Sequence, residues 1–120
     1  MTDRRRALGE YGERLAARYL RDAGFTVLDR NWRCEVGEID LVARLDDCLV
    51  VCEVKTRRHE DYGGPAAAVT PVKAARLRRL AGCWLEAHPD TGTREIRIDV
   101  IAVLRGSSGP ADLEHLVAVA

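Results

Sequence analysis

The chain has almost no lysine. Of its 19 basic side chains only Lys55 and Lys73 are lysines, and the other 17 are arginines. A position that resists this bias asks for something a guanidinium cannot give: a compact ammonium that approaches an anion closely or loses a proton. Net charge is also missing, since 19 acids balance 19 bases. That excludes a globally basic nucleic-acid binder, so any such binding has to come from a local patch. No apolar run approaches the length of a membrane span, and Met1-Thr2-Asp3-Arg4-Arg5-Arg6 has no apolar segment behind it. No membrane partner is expected, and a cytoplasmic address is. Cys34, Cys48, Cys52 and Cys83 form no C-x-x-C pair and read as reduced core thiols rather than a zinc site. Gly63-Gly64 is followed by no Gly-Lys-Ser/Thr, which excludes a phosphate-binding loop. No linker or repeat divides the chain, so residues 1–120 are expected to form one domain, long enough for one core. With 47% hydrophobic and 32% charged residues it is a globular sequence, not a disordered one.

What is there centres on two strand-like runs. Gly37-Glu38-Ile39-Asp40-Leu41-Val42-Ala43 and Cys48-Leu49-Val50-Val51-Cys52-Glu53-Val54-Lys55-Thr56-Arg57 are rich in Val, Ile, Leu and Cys, and a turn at Asp46-Asp47 joins them. Side chains alternate along a strand, so Glu53 and Lys55 share a face roughly 6–7 Å apart, with Cys48 and Cys52 on the opposite face. Glu38 and Asp40 likewise share a face. A hairpin brings Asp40 and Glu53 to one sheet end, a site for a hard divalent cation with an ammonium beside it. The spacing Asp40, then Glu53-Val54-Lys55, resembles the PD-(D/E)xK nuclease motif, in which two carboxylates bind metal and the lysine positions or activates water. The motif's proline is absent, since Ile39 precedes Asp40. A solvent-facing ion pair would produce the same pattern without any function.

Around this centre the chain supplies a helix over about residues 3–23, with a core stripe of Leu8, Tyr11, Leu15 and Tyr19 and a stop at Gly24. Glu13 flanks the stripe among small neighbours, as a third acid at the sheet edge or as a solvated glutamate. Residues 25–34 read as a strand in which Trp32 covers a core edge. The polar stretch from Thr56 to Pro65 reads as a loop. There Arg57 and Arg58 suit phosphates, and the lone His59 reads as solvated. Thr70-Pro71 starts a helix that Pro89 stops, with Leu77, Leu80, Ala81, Trp84 and Ala87 as its apolar face. Lys73 projects from that face in the first turn, an anion-seeking position, and Arg76 extends a basic rim. Residues 94–104 form a strand with Ile96, Ile98, Val100 and Ala102 on one face and Arg97 and Asp99 on the other. Asp99 is a candidate support residue or a structural ion-pair partner. A short apolar segment, 113–118, closes the chain.

The phrases Gly12-Glu13-x-x-Ala16-x-x-Tyr19-Leu20, Arg30-Asn31-x-Arg33, Gly37-Glu38-Ile39-Asp40-Leu41-Val42-Ala43, Val51-x-Glu53-Val54-Lys55-Thr56-Arg57 and Ile98-Asp99-Val100-Ile101 resemble the YraN family. These are small bacterial proteins described as predicted endonucleases, similar in their core to archaeal Holliday-junction resolvases. The resemblance spans nearly the whole chain. It implies an α/β, restriction-endonuclease-like core of order α-β-β-β-α-β, a mixed central sheet flanked by helices. Carried over by position, it implies Glu13, Asp40 and Glu53 as metal-facing acids and Lys55 as the catalytic lysine, while Lys73 stands where related nucleases often carry glutamine. The expectation is a Mg²⁺- or Mn²⁺-dependent endonuclease acting on DNA, branched or damaged DNA included. Asp40, Glu53, Glu13 and the Val54 carbonyl would hold the metal, Glu38 and Asp99 would support the site, and Arg57, Arg58, Lys73 and Arg76 would contact the nucleic acid. The alternatives are a non-catalytic nucleic-acid-binding module that kept the fold, or a protein-interaction domain. Resolvase-like enzymes work as dimers, so a homodimer is admitted, although the sequence displays no dimer surface.

Overall fold

Each element ends where local chemistry says it should. The computed structural model describes residues 3–58 and 69–119. Helix α1 (Asp3–Asp22) closes on Gly24, whose φ of 96° is costly for any residue with a Cβ. The Phe25 N–H then donates to the Leu20 carbonyl at 2.9 Å, satisfying one of the helix's orphan acceptors. Strands β1 (Thr26–Cys34), β2 (Gly37–Leu45) and β3 (Cys48–Arg58) follow as a meander. The β2–β3 turn places Asp46 at φ 54°, a left-handed conformation that Asp tolerates better than most residues. Helix α2 (Pro71–Ala87) begins as expected: the Thr70 hydroxyl accepts from the Lys73 N–H at 3.1 Å, and Pro71 occupies the first turn, where an N–H has no intrahelical partner. Strands β4 (Glu95–Arg105) and β5 (Asp112–Leu116) complete the chain. The closing apolar segment is therefore a fifth strand, paired antiparallel along β4.

The sheet runs β1-β2-β3-β4-β5, with β3 and β4 parallel and the other pairs antiparallel. This is the expected mixed α/β sheet and α-β-β-β-α-β order, with β5 added. Each face carries one helix. Under α1, Ala16, Ala17 and Leu20 pack with Leu41, Ala43, Val50, Cys52, Ile101 and Val103. Under α2, Leu77, Leu80, Ala81 and Trp84 pack with Ile39, Val42, Leu49, Val51 and Ile98. The expected alternation holds in β3 and β4: Cys52 faces α1, Val51 faces α2, and Ile98 stands opposite Ile101. Trp32 packs at the edge of the α2 cluster, as a core cover. The four cysteines are free thiols, Cys52 buried and the other three half-buried.

Both helix stripes need adjustment. The fully buried face of α1 is Ala16, Ala17 and Leu20, with Tyr11, Leu15 and Tyr19 only flanking it. Small side chains let the helix axis come close to the sheet, and the large ones splay to either side. The closest approach is at Gly12, where any Cβ would overlap the Thr56 hydroxyl of β3. On α2, Ala87 is exposed, because the helix ends there. The His88 ring takes over, stacking on Trp84 at 3.9 Å between centroids, while Trp84 Nε1 donates to Asp29 at 3.0 Å.

Asp99 is wholly buried beneath α1. It accepts from Arg97 Nε and Nη2 at 2.9 and 2.8 Å, and from the Ala118 N–H at 3.0 Å. His115 Nε2 lies 2.7 Å away, and its Nδ1 meets the Tyr19 hydroxyl at 2.9 Å. Asp99 is thus a clasp that fastens α1, β5 and the segment after β5 to β4, and not a support residue of the acidic site. Burial alone would raise the Asp99 pKa, but the hydrogen bonds from Arg97, Ala118 and His115 outweigh it and hold the carboxyl below its ordinary value. A carboxyl with a depressed folded-state pKa contributes stability above its unfolded pKa of about 4 and loses it as pH falls further. Asp99→Asn should therefore cost about 3 kcal/mol at neutral pH, and the cost should shrink below about pH 4. Thermal melts of both proteins from pH 7 to pH 3 measure this, and equal losses at every pH would contradict it.

Candidate functional site

The β2–β3 ladder runs from Leu45↔Cys48 to Leu41↔Cys52 and then stops. Beyond that point β2 stays with β1 down to Gly37, and β3 stays with β4 up to Arg58. The sheet forks between them, and Asp40 and Glu53 are the first pair past the last rung. Within the fork the Val54 N–H has no ladder partner and donates instead to Asp40 Oδ2 at 2.8 Å. A strand residue's N–H and C=O point the same way, so the Val54 carbonyl also faces the fork. Opposite Asp40 in the β1–β2 register stands Asn31, at φ 52°. Asn is among the few residues that accept this conformation readily.

Helices bring the remaining groups from both faces. Gly12 seats α1 on Thr56, and the next residue, Glu13, accepts a hydrogen bond from the Asn31 side chain. From α2, Lys73 Nζ sits 2.8 Å from Glu53 Oε2, with side chains 22% and 17% exposed. Lys55 follows two residues after Glu53 and lies beside Lys73. The only two lysines of the chain therefore meet, and they meet at the acids.

The charges are mutually perturbed. Burial, then repulsion from Glu53, raises the Asp40 pKa to about 7, with smaller pushes from Glu13 and Glu38 and only partial relief from the Val54 N–H. Burial also raises Glu13, which the Asn31 hydrogen bond partly offsets. Lys55 is held below its ordinary value by burial first, then by the Lys73 and Arg57 cations. Shifted groups converging in one place are a mark of functional sites. Glu38 stands on the exposed rim, bound to Arg33 at 3.1 Å, a pair of little energetic consequence.

The expected residues divide between two places. Glu13, Asp40, Glu53, Val54, Lys55 and Lys73 gather at the fork, with Glu38 at its rim. Arg57 and Arg58 instead line a groove of about 1240 Å³ on the α1 face, beside Arg4 and Arg105. Of the four cations expected in one groove, Lys73 and Arg76 do not share the lining that Arg57 and Arg58 form among the described residues. Lys73 is spent on Glu53, and the exposed Arg76 stands on α2 away from that lining. Along β3, Val54 and Thr56 face α1, whereas Glu53 and Lys55 meet Lys73 of α2 on the other face. His59 and most of the expected loop lie outside the described residues. Asn31, Arg4 and Arg105 were missed as site residues; an asparagine in an otherwise regular strand was the one available signal, for Asn31.

The donor chemistry fits a hard divalent cation: carboxylates and a carbonyl share the fork, and one carboxyl is driven toward neutrality by burial and by the neighbouring acids. As they stand, no three acid, His or Cys side chains among the described residues close around a single point. No helix among the described residues is long and apolar enough to cross a membrane.

Comparison with known proteins adds the following. A model of the uncharacterised protein family UPF0102 matches residues 12–103. A UPF0102 protein of Kineococcus radiotolerans is 59% identical over 113 residues, covering 94% of this chain and 93% of its own. Those of Beutenbergia cavernae and Streptomyces griseus are each 56% identical, covering 92% of this chain and 92% and 93% of their own. Among solved structures, a chain of the EndoMS–dsDNA2 complex aligns with 83% of this chain at 20% identity and a TM-score of 0.44, and this chain spans 37% of its length.

The raised Asp40 pKa has a measurable consequence. A carboxyl that holds its proton more tightly when folded makes stability fall as pH rises from about 4 to about 7. Asp40→Asn keeps an acceptor for Val54 and removes the charge. In metal-free buffer it should be more stable than wild type by about 1–2 kcal/mol at pH 8, water around the half-buried group screening the rest, and the gain should vanish near pH 4. Melting curves across this range test it. A mutant less stable than wild type at pH 8 would show that Asp40 is a structural acid.

Proposed function

This chain belongs to the uncharacterised family UPF0102, the YraN family, and we propose that it is a metal-dependent endonuclease hydrolysing phosphodiester bonds in DNA, branched or damaged DNA among its substrates. The observation that carries this reading is the meeting of the chain's only two lysines with Asp40, Glu53 and Glu13 at the fork of the sheet. Asp40, Glu53, Glu13 and the Val54 carbonyl would hold Mg²⁺ or Mn²⁺, which when bound supplies Lewis-acid polarisation of the scissile phosphate. The chain's own groups do the rest. The Val54 N–H fixes the Asp40 carboxylate at one angle. The Asn31 amide orients Glu13. Lys73 holds Glu53 and neutralises part of the acid cluster. Lys55, with its lowered pKa, orients the attacking water by hydrogen bonding or stabilises charge developing on the phosphate oxygens. A cytoplasmic location and a homodimer acting on symmetric substrates accompany this reading.

The second reading is a non-catalytic nucleic-acid-binding module that retains the fold. The Lys73–Glu53 ion pair favours it, because it engages an acid that the enzyme would use for metal.

Cleavage of single-stranded, duplex, flapped and four-way DNA, with Mg²⁺ and with Mn²⁺, separates the two readings. The enzyme cuts at least one substrate with metal and none in chelator. Binding without cleavage anywhere in the panel would assign the module. Independently of turnover, millimolar Mn²⁺ should raise the melting temperature of the wild type, since a ligand bound only by the folded state stabilises it. Asp40→Asn should weaken that response, and equal responses would remove Asp40 from the metal site.

Lys55→Arg keeps the charge and, at a half-exposed sheet end, should change stability by less than about 0.5 kcal/mol. Cleavage should nevertheless fall by roughly tenfold to a thousandfold, because the wide guanidinium neither fits the ammonium's place nor gives up a proton. Full activity in Lys55→Arg would leave positive charge as the only requirement there.

A further inference from the structure

The arginines, in contrast to the lysines, gather elsewhere. The groove of about 1240 Å³ lies between the first turns of α1, the last residues of β3 and the start of the β4–β5 turn. Arg4, Arg57, Arg58 and Arg105 line it, from three different elements, and Glu13 is its one acid among the described residues. Among the described residues the remaining lining is small or apolar apart from the hydroxyl-bearing Thr56 and Ser107, with no aromatic side chain. In a chain of zero net charge, four guanidinium groups around one concavity concentrate a positive field that the composition conceals.

Two further features give the groove direction and order. Glu13 and Val54 belong both to its lining and to the fork, so the groove runs into the acidic site rather than standing apart from it. Arg105 is held in place by the Tyr11 ring of α1, 5.0 Å from its centroid. That contact costs Arg105 none of its hydrogen-bond donors, which stay available for an anion. Arg57 is tied at one nitrogen to the Thr56 carbonyl at 2.8 Å and keeps the rest of its fork.

We propose that this groove is a track for the phosphodiester backbone of nucleic acid, leading it to the fork without reading its sequence, with Arg4 and Arg105 as phosphate-binding residues beside Arg57 and Arg58. Planar guanidinium forks match phosphate oxygens bidentately. Among the described residues the lining offers no aromatic platform on which bases could stack. Neither Arg4 nor Arg105 belongs to the acid–lysine motif. The proposal rests on the nuclease reading for the direction of the track, but its binding claim stands apart from cleavage.

The test is anisotropy of labelled DNA of several unrelated sequences, in chelator, across a salt series, with full-length Asp40→Asn as the background so that nothing is cut. Replacing Arg4 and Arg105 by Ala should reduce the slope of log affinity against log salt by about two, equally for every sequence. Replacing Arg57 and Arg58 should have a similar effect. Arg105→Lys, which keeps charge and loses the stacked fork, should weaken binding while largely keeping the slope, and melting curves exclude unfolding as the cause. A slope unchanged by Arg4→Ala with Arg105→Ala, while Arg57→Ala with Arg58→Ala flattens it, would overturn the track and leave the nuclease reading intact. Losses that depend on sequence would overturn backbone recognition. Absence of DNA binding by the unsubstituted background would overturn the track, and the cleavage panel with metal would still decide the nuclease reading.

Discussion

One hydrogen bond sets the terms for the rest of the site. When β2 and β3 part after Leu41 and Cys52, the Val54 N–H would be left without a partner, at a cost of about 1–3 kcal/mol if buried unsatisfied. Asp40 turns its carboxylate across the gap and takes the bond. That choice fixes an acid at the mouth of the fork and leaves the Val54 carbonyl facing the same space. It also opens both faces of the sheet to their helices, so Glu13 arrives from α1 and Lys73 from α2. The crowding of Asp40, Glu53 and Glu13 follows from this geometry, and so does the raised Asp40 pKa. The site is held in an electrostatically unfavourable arrangement by a core that does not depend on it, a common pattern where activity and stability oppose each other.

The division of labour between the two cations has the same physical root. An ammonium is compact and strongly hydrated; it packs beside a carboxylate in a narrow fork and titrates when neighbours press on it. A guanidinium is planar, always charged and suited to a wide groove. Lys55 and Lys73 stand where the first set of properties is useful, and Arg4, Arg57, Arg58 and Arg105 where the second is. The buried ion pair of Asp99 shows arginine in a third role. There, with His115 and the Ala118 N–H, it locks the last strand onto the sheet. That clasp sits on the α1 face, away from Glu53 and Lys55, so the structural acid and the candidate catalytic acids do not share partners.

Much of this was already legible in the linear order. Strand alternation put Glu53 and Lys55 on one face and Cys48 and Cys52 on the other, and a hairpin closed by a short turn at Asp46-Asp47 brought Asp40 and Glu53 to one sheet end. Thr70-Pro71 and Gly24 marked helix ends by local chemistry that tertiary contacts did not alter. The lysine bias singled out Lys55 without any structure. These features depend on neighbours within a few residues, and such neighbours are written in the sequence. What required the fold were the meetings between distant elements. The α1 stripe was misjudged because the buried face is chosen by how closely the axis approaches the sheet. Gly12 over Thr56 permits an approach that buries Ala16, Ala17 and Leu20 and leaves Leu8, Tyr11, Leu15 and Tyr19 only partly covered. Lys73 joined Glu53 rather than Arg57 and Arg58 because α2 crosses on the opposite face from the groove, and a helix's side of a sheet leaves no mark on its own sequence. Asp99 became a clasp only when β5 brought His115 and Ala118 beside it. Arg4 and Arg105, about a hundred positions apart, line one groove because β4 ends beside the start of α1, a proximity set by the packing of the whole sheet.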